Sequence, residues 1–402
     1  MSPIVLADRV ERMRESPSVA AAQRVRELRA AGRDILDLTI GEPDFDTPGH
    51  VKVAAAAAMD AGFTKYTAVN GIPALRKAIV ARTAARTGAT VTDSEISIGG
   101  GAKQLIFLAL MATVDAGDEV IVPAPYWVSY PDMVIVHGGT PVIVDCPESD
   151  RFLLTPAKLE AAITPATKWV ILNSPANPTG AVYSAAELAA LAEVLDRHPH
   201  VHVLCDEIYD EIVFDGAPCP SLLQVAPRLR DRLYVVNGVS KSYAMTGWRL
   251  GYGIAHPHLT AAINKLQSQS SSCPSSLSQA AAAEALTGDQ TFVAESVASY
   301  RARRGIVFDL LSEVEGLTPV LSQGTFYMFV GCAGLLGKRT PAGEVLETDG
   351  DVVLYLLDHA AVATIAGSAY GAPGYLRISF ATSEEVLRAA ADGIAKAVAA
   401  LA

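Results

Sequence analysis

Lys241 and Arg249 stand in a polar connection between the apolar runs 233–236 and 250–255. Both runs read as short buried strands, so Lys241 lies just past a strand end. A lysine there packs poorly but projects well into a cleft. Two chemistries are open to it. One is a solvated surface lysine, the ordinary state of an unpaired Lys. The other is an amine whose pKa is lowered by burial or a cationic neighbour, so that it condenses with a carbonyl carbon. Lys241 by itself does not choose between them.

Three further groups of residues bear on the choice. Asp206 follows the apolar run 201–205, where a carboxylate is costly unless it faces a cation; capping a helix is its other reading. Tyr209, three residues on, shares its side if a helical turn begins there. Asn177 lies in Asn173-Ser174-Pro175-Ala176-Asn177-Pro178-Thr179-Gly180. Two prolines and two asparagines there make either an ordinary turn or a rigid loop with amide donors. Gly99-Gly100-Gly101-Ala102-Lys103-Gln104 joins a strand to a helix. Glycines permit close backbone approach and a helix N-terminus offers free N–H groups to an anion, although a tight turn also accounts for them. The run matches neither GxGxxG nor GxxxxGK[ST], so it is no nucleotide motif.

Together these groups suit one ligand. A cationic ring nitrogen would face Asp206, and Tyr209 and Asn177 would hold a ring oxygen. A phosphate would lie between the glycine loop and Arg249, and an aldehyde carbon would join Lys241 as an aldimine. That ligand is pyridoxal 5′-phosphate, an electron sink when its ring nitrogen is protonated.

The elements that must position these residues alternate. Helices are expected over 19–31, 51–59, 74–86, 102–114 and 184–196. Strands are expected over 35–40, 95–98, 119–122, 141–144, 168–172, 201–205 and 233–236. Near-continuous apolar strands between helices predict a mostly parallel α/β sheet covered on both faces. Its ligands should collect beyond the strand ends. A helical tract over 277–311, broken near 287–289, precedes strand 325–330, a surface loop over 331–350, helix 352–359, strand 376–380 and helix 383–401. This reads as a smaller α+β unit. The expected division is an arm and part of the small domain over 1–45, a large cofactor-binding domain over 46–290 and a small C-terminal domain over 291–402.

Composition excludes other classes. The 402 residues carry a net charge of −11 with both signs interspersed, which argues against a nucleic-acid partner. No uncharged apolar run reaches the ~20 residues of a membrane span. The charged N-terminal stretch is no signal peptide, so the cytoplasm is the expected address. Five scattered cysteines without a CxxC pair read as reduced thiols. His198-Pro199-His200 and His256-Pro257-His258 read as turns, and no metal site is expected.

The chain resembles the class I aminotransferases of pyridoxal-phosphate fold type I, and within them the bacterial aspartate and aspartate/prephenate subgroup. The resemblance is carried by Gly41-Glu42-Pro43-Asp44-Phe45-Asp46-Thr47-Pro48, Lys65-Tyr66 and Pro125-Tyr126-Trp127-Val128-Ser129-Tyr130-Pro131. It continues in residues 173–180, Asp206-Glu207-Ile208-Tyr209, Ser240-Lys241, Gly247-Trp248-Arg249-Leu250-Gly251-Tyr252 and Leu376-Arg377-Ile378-Ser379. It implies that Lys241, Asp206 and Tyr209 are catalytic. Gly101, Ala102, Lys103, Trp127, Asn177, Ser240 and Arg249 would join them around the cofactor, with Trp127 stacked on the ring. Tyr66 would reach the phosphate of a neighbouring subunit, which implies a homodimer with shared sites. Arg377 would grip the substrate α-carboxylate, and Gly41, Trp127 and Asn177 would also touch substrate. The implied reaction moves an amino group from an L-amino acid, foremost L-aspartate, to 2-oxoglutarate by a ping-pong aldimine/ketimine route. Lys103 would meet a side-chain carboxylate or the phosphate. Arg14 keeps the charge that the subgroup uses for dicarboxylates, while Glu15 departs from its pattern, which bears on prephenate use. An aromatic aminotransferase or a Cβ/Cγ lyase would use the same cofactor residues.

Overall fold

The computed structural model describes residues 4–13, 17–216 and 219–402. The first strand, β1 (Leu36–Asp37), is shorter than the expected 35–40 run. It pairs in parallel with Val362–Ala363, so the N-terminal arm is stitched to the C-terminal part of the chain.

Seven strands form the main sheet: β2 (Ile96–Gly99), β3 (Glu119–Ala124), β4 (Thr140–Asp145), β5 (Thr167–Asn173), β6 (His202–Asp206), β7 (Leu233–Gly238) and β8 (Gly251–Ala255). Their order is β2-β8-β7-β6-β5-β3-β4, and β8 runs antiparallel to both its neighbours while the others are parallel. The pleat sends alternate side chains to opposite faces. Val170, Leu172, Val203, Cys205 and Val235 enter one apolar core. Trp169, Ile171, Leu204, Tyr234 and Val236 enter the other. Two buried faces explain why these strands read as continuous apolar runs.

A second sheet is antiparallel, in the order β12-β13-β10-β9. It comprises β9 (Thr318–Val320), β10 (Tyr327–Gly331), β12 (Ile365–Ala366) and β13 (Tyr375–Ser379), with β11 (Val362–Ala363) paired to β1 beside it. A separate apolar core joins this sheet to the helices Thr291–Ser312, Asp349–His359 and Glu384–Ala399.

Local chemistry sets several helix ends. Ser184 and Glu187 form a reciprocal capping box ahead of Ala185–Arg197. The expected break near 287–289 separates Ser276–Thr287 from Thr291–Ser312. His256-Pro257-His258 corrects the sequence reading. It opens the helix Pro257–Ser270 rather than a turn. Proline suits a first helical position because its missing N–H has no partner there, and His256 Nδ1 accepts the N–H of His258 at 3.2 Å. The helix Ser129–Val136 was also not foreseen. The 331–350 stretch is less open than expected, since Cys332, Leu335 and Leu346 are buried. All five cysteines are free thiols, and only Cys273 is not fully buried. Among the described residues no helix is long and apolar enough to cross a membrane.

Candidate active site

Strand register brings the sequence motifs to one sheet edge. Asn173 pairs with Asp206 across β5 and β6, and Asp206 pairs with Val236 across β6 and β7. Gly238 pairs with Gly251, and Gly251 pairs with Gly99. Because β8 is antiparallel, its first residue lies beside the last residues of β7 and β2. The asparagine loop, Asp206, Lys241, Arg249 and the glycine run therefore rim one cleft of about 640 Å³. Gly41, Ala102, Lys103, Trp127, Asn177, Tyr209, Ser240 and Arg377 line it as well.

Asp206 is only 4% exposed. Tyr130 Oη donates to its Oδ2 at 2.7 Å and the Ile208 N–H to its Oδ1 at 3.2 Å. A turn follows, not a helix, so the capping reading fails and Tyr209 is placed by that turn. Burial pushes the Asp206 carboxyl above the usual carboxylate range, against the bonds from Tyr130 and Ile208 and the charge of Lys241. A cation entering the cleft in front of it would favour the ionised form.

Lys241 is not a surface lysine. Its Nζ donates to the Gly41 carbonyl at 2.5 Å and lies 5.8 Å from the Tyr209 ring centroid. Burial lowers its pKa to about 8; Arg377 and Arg249 push the same way, while Glu42 and Asp206 oppose them. Such an amine loses its proton around pH 8, well below an ordinary lysine, and is nucleophilic in that neutral form.

Arg249 adopts a left-handed backbone, with φ at 51°. Its guanidinium donates to the Thr246 carbonyl at 2.9 Å and the Gly100 carbonyl at 3.2 Å. Gly101 precedes the helix Ala102–Thr113 at φ 98°, and a Cβ there would fall 2.6 Å from Arg249 Nη2. Lys103 Nζ sits 4.9 Å from the Trp127 ring, and burial lowers its pKa, helped by Arg249. Free helix N–H groups, a guanidinium and an ammonium make a site for a phosphate.

Arg377 is 3% exposed, on a strand with partners on both sides. Its guanidinium lies 4.3 Å from the Tyr327 ring centroid and 5.4 Å from that of Tyr370. It donates to Asn177 Oδ1 at 3.3 Å and the Thr39 carbonyl at 2.6 Å. Its Nε is buried without a partner among the described residues, a donor left for a ligand. The asparagine loop is fixed by its own side chains: Asn173 Oδ1 accepts the Asn177 N–H at 2.8 Å, and Asn173 Nδ2 donates to the Asp206 carbonyl at 2.9 Å. Tyr209 and Tyr327 share a hydroxyl contact of 3.1 Å, and burial raises the Tyr209 pKa.

One expected site residue stands apart from this cleft. Tyr66 is 89% exposed and does not line this cleft. Arg14 and Glu15 lie outside the described residues. Tyr130, Tyr327 and Thr39 line the cleft without having been singled out. Tyr130 stands three residues after Trp127, and only the helix starting at Ser129 turns it toward Asp206. Tyr327 had no signal separating it from a core aromatic.

The site fits pyridoxal phosphate by its donor set: a buried carboxylate, a depressed lysine and an anion cradle open to one cleft. Solved structures share the fold that carries this site. An aspartate aminotransferase from Rhizobium meliloti superposes with a TM-score of 0.97 at 48% identity over 100% of both chains. The Thermus thermophilus aspartate aminotransferase with maleate gives 0.92 at 38% identity, over 98% of this chain and 100% of the other. Residues 33–394 match the family of class I and II aminotransferases, and the chain belongs to that family. It is thus a pyridoxal-phosphate-dependent aminotransferase of fold type I. The aspartate/prephenate aminotransferase of Cereibacter sphaeroides is 48% identical over 385 residues, covering 96% of each chain.

Proposed function

We propose that this aminotransferase takes the amino group of L-aspartate and passes it to 2-oxoglutarate in a ping-pong cycle. The observation that carries the reading is the depressed Lys241 amine sharing a cleft with buried Asp206, with Arg249 and Arg377 on its walls. Bound pyridoxal phosphate supplies an aldehyde that condenses with amines and a protonated ring that draws electrons from the substrate Cα.

The chain supplies the rest. Lys241 Nζ is the covalent anchor. Its amine, when free, would take the proton from the substrate Cα and give it back on the other side of the transfer. Asp206 would keep the proton on the ring nitrogen, and Tyr209 and Asn177 would hold the ring oxygen. Trp127 covers the ring face. Arg249, Ser240 and the N–H groups of Ala102 and Lys103, just past Gly101, would hold the phosphate, joined by Tyr66 from a second subunit. Arg377 takes the α-carboxylate in a bidentate grip, for which its unpartnered Nε is one free donor. The Gly41 backbone closes over the substrate. Lys103 and Arg14 are the cations for a side-chain carboxylate. The domain division 1–45, 46–290 and 291–402 goes with this reading, because Asp206 and Lys241 then belong to one domain and Arg377 to the other.

The test is borohydride reduction of the holoenzyme followed by peptide mapping, with spectra of each half-reaction. The label should sit on Lys241, and L-aspartate should bleach the chromophore that 2-oxoglutarate restores. A label elsewhere, or bleaching by phenylalanine and not aspartate, would overturn the assignment. A second reading, prephenate as an amino acceptor, is favoured by the name of the Cereibacter relative, an aspartate/prephenate aminotransferase. Restoration of the chromophore by prephenate decides it.

A further inference from the structure

The N–H groups from Gly100 to Gln104 can be accounted for one by one. Gly101 donates to the Gly99 carbonyl at 2.8 Å, and Gln104 to the Gly101 carbonyl at 3.2 Å. Gly100 donates to the side-chain Oε1 of Gln104 at 2.5 Å. That leaves Ala102 and Lys103, which make no such bond among the described residues. The Gln104 amide is itself pinned, since its Nε2 donates to Ser271 Oγ at 2.9 Å. Ser271 ends the helix Pro257–Ser270, on a different part of the chain. The glycines are packed against this side chain: a Cβ at Gly100 would lie 3.0 Å from Gln104 Oε1, and one at Gly99 3.1 Å from it. The Gly100 carbonyl meanwhile accepts from Arg249.

We propose that Gln104 is a positioning residue for the phosphate end of the cofactor, held in place by Ser271. Its oxygen occupies the Gly100 N–H and folds the loop back. The peptide between Gly100 and Gly101 then turns its carbonyl to Arg249, and the N–H groups of Ala102 and Lys103 face the cleft with no competing acceptor. Gln104 need not touch the ligand; it fixes which loop donors stay free. The proposal rests on the phosphate reading of this loop.

The experiment compares two aldehydes that differ only in the phosphate. Apoenzymes of the wild type, Gln104→Met and Ser271→Ala are titrated with pyridoxal phosphate and with pyridoxal, following aldehyde absorbance. Gln104→Met should raise the pyridoxal-phosphate Kd about tenfold, the scale of one lost hydrogen bond, and leave the pyridoxal Kd within about twofold. Ser271→Ala should move the same ratio in the same direction by less, and it keeps the test alive if Gln104→Met does not fold. Inorganic phosphate should also compete with pyridoxal phosphate less well in both variants. Equal weakening of both aldehydes would mean that Gln104 only supports the fold, and would overturn the proposal; so would no change in either. A wild-type apoenzyme with no preference for the phosphorylated aldehyde would fail differently, removing the phosphate reading itself and the proposal with it.

Discussion

Lys241 and Asp206 are two titratable groups moved off their ordinary values by the same burial. The lysine is lowered to about 8, so the unfolded chain holds more protons above that pH. Apoenzyme stability should therefore gain a contribution as pH rises from about 8 through the ordinary lysine value of about 10.4. The more direct consequence is reactive. Uptake of pyridoxal phosphate by the apoenzyme should quicken with pH and level off above about 8; stopped-flow rates that keep climbing to pH 10 would contradict this. Lys241→Ala should abolish turnover while allowing cofactor to bind. Asp206 has a second determinant in Tyr130, whose bond favours the ionised carboxylate. Tyr130→Phe should lower kcat by roughly tenfold to a hundredfold, the range for a bond to a charged group. The acid limb of the kcat profile should move to higher pH. An unchanged profile would show that Tyr130 only packs.

The elements are held around these residues by polar braces beneath the cleft. Arg86, on the helix Pro73–Thr87, pairs with Glu207 at 2.9 Å and also with Asp210. Asn237 at the end of β7 donates to Asp210 at 2.7 Å. One guanidinium thus ties a helix to the segments that carry Asp206, Tyr209 and Lys241. Glu207 is 6% exposed and Asp210 5%, and burial raises the Glu207 pKa against the pull of Arg86. Arg86→Met would strand buried carboxylates, so urea unfolding of the apoenzyme should show a loss of about 3–5 kcal/mol. A loss below about 1 kcal/mol would fit a surface pair instead. On the other side of the cleft, a Cβ at Gly251 would overlap the Ala102 backbone. Strand β8 and the glycine loop can meet only because that Cβ is missing.

For the whole molecule, the exposed Tyr66 matters most. It lies beyond a helix, Gly49–Asp60, that presents Val53 at 69% and Met59 at 54% exposure, and Phe63 nearby is 37% exposed. Exposed apolar side chains in the same stretch of chain as a tyrosine that the cleft does not use suit contact with a second copy. If Tyr66 serves the partner's site, mixing inactive Lys241→Ala with a weakened Tyr66→Ala enzyme should restore activity. Each hybrid dimer then has one intact site, giving roughly a quarter of the wild-type sites after random exchange. No recovery on mixing would place Tyr66 outside catalysis or the chain outside a dimer.

The main sheet was legible because each strand is buried on both faces and so announces itself as an apolar run between helices. That Lys241, Asp206, Asn177 and Arg249 line one cleft was legible because polar residues at the ends of such runs have few packing roles. Local pattern also misled: proline in 256–258 reads as a turn when it stands alone, yet as a helix start when the next turn is apolar. The two-residue β1 was over-read because its partner, Val362–Ala363, lies more than three hundred residues away in sequence. Tyr130, Tyr327 and Gln104 look like ordinary helix or core residues in one dimension. What the sequence by itself determined is the set of strands and the polar residues that end them, since hydrophobic periodicity and turn chemistry are local. Which ends meet, and which side chains brace them, was decided by the tertiary structure alone. Sheet order, the reversed direction of β8 and the face on which each side chain emerges all depend on contacts between distant segments.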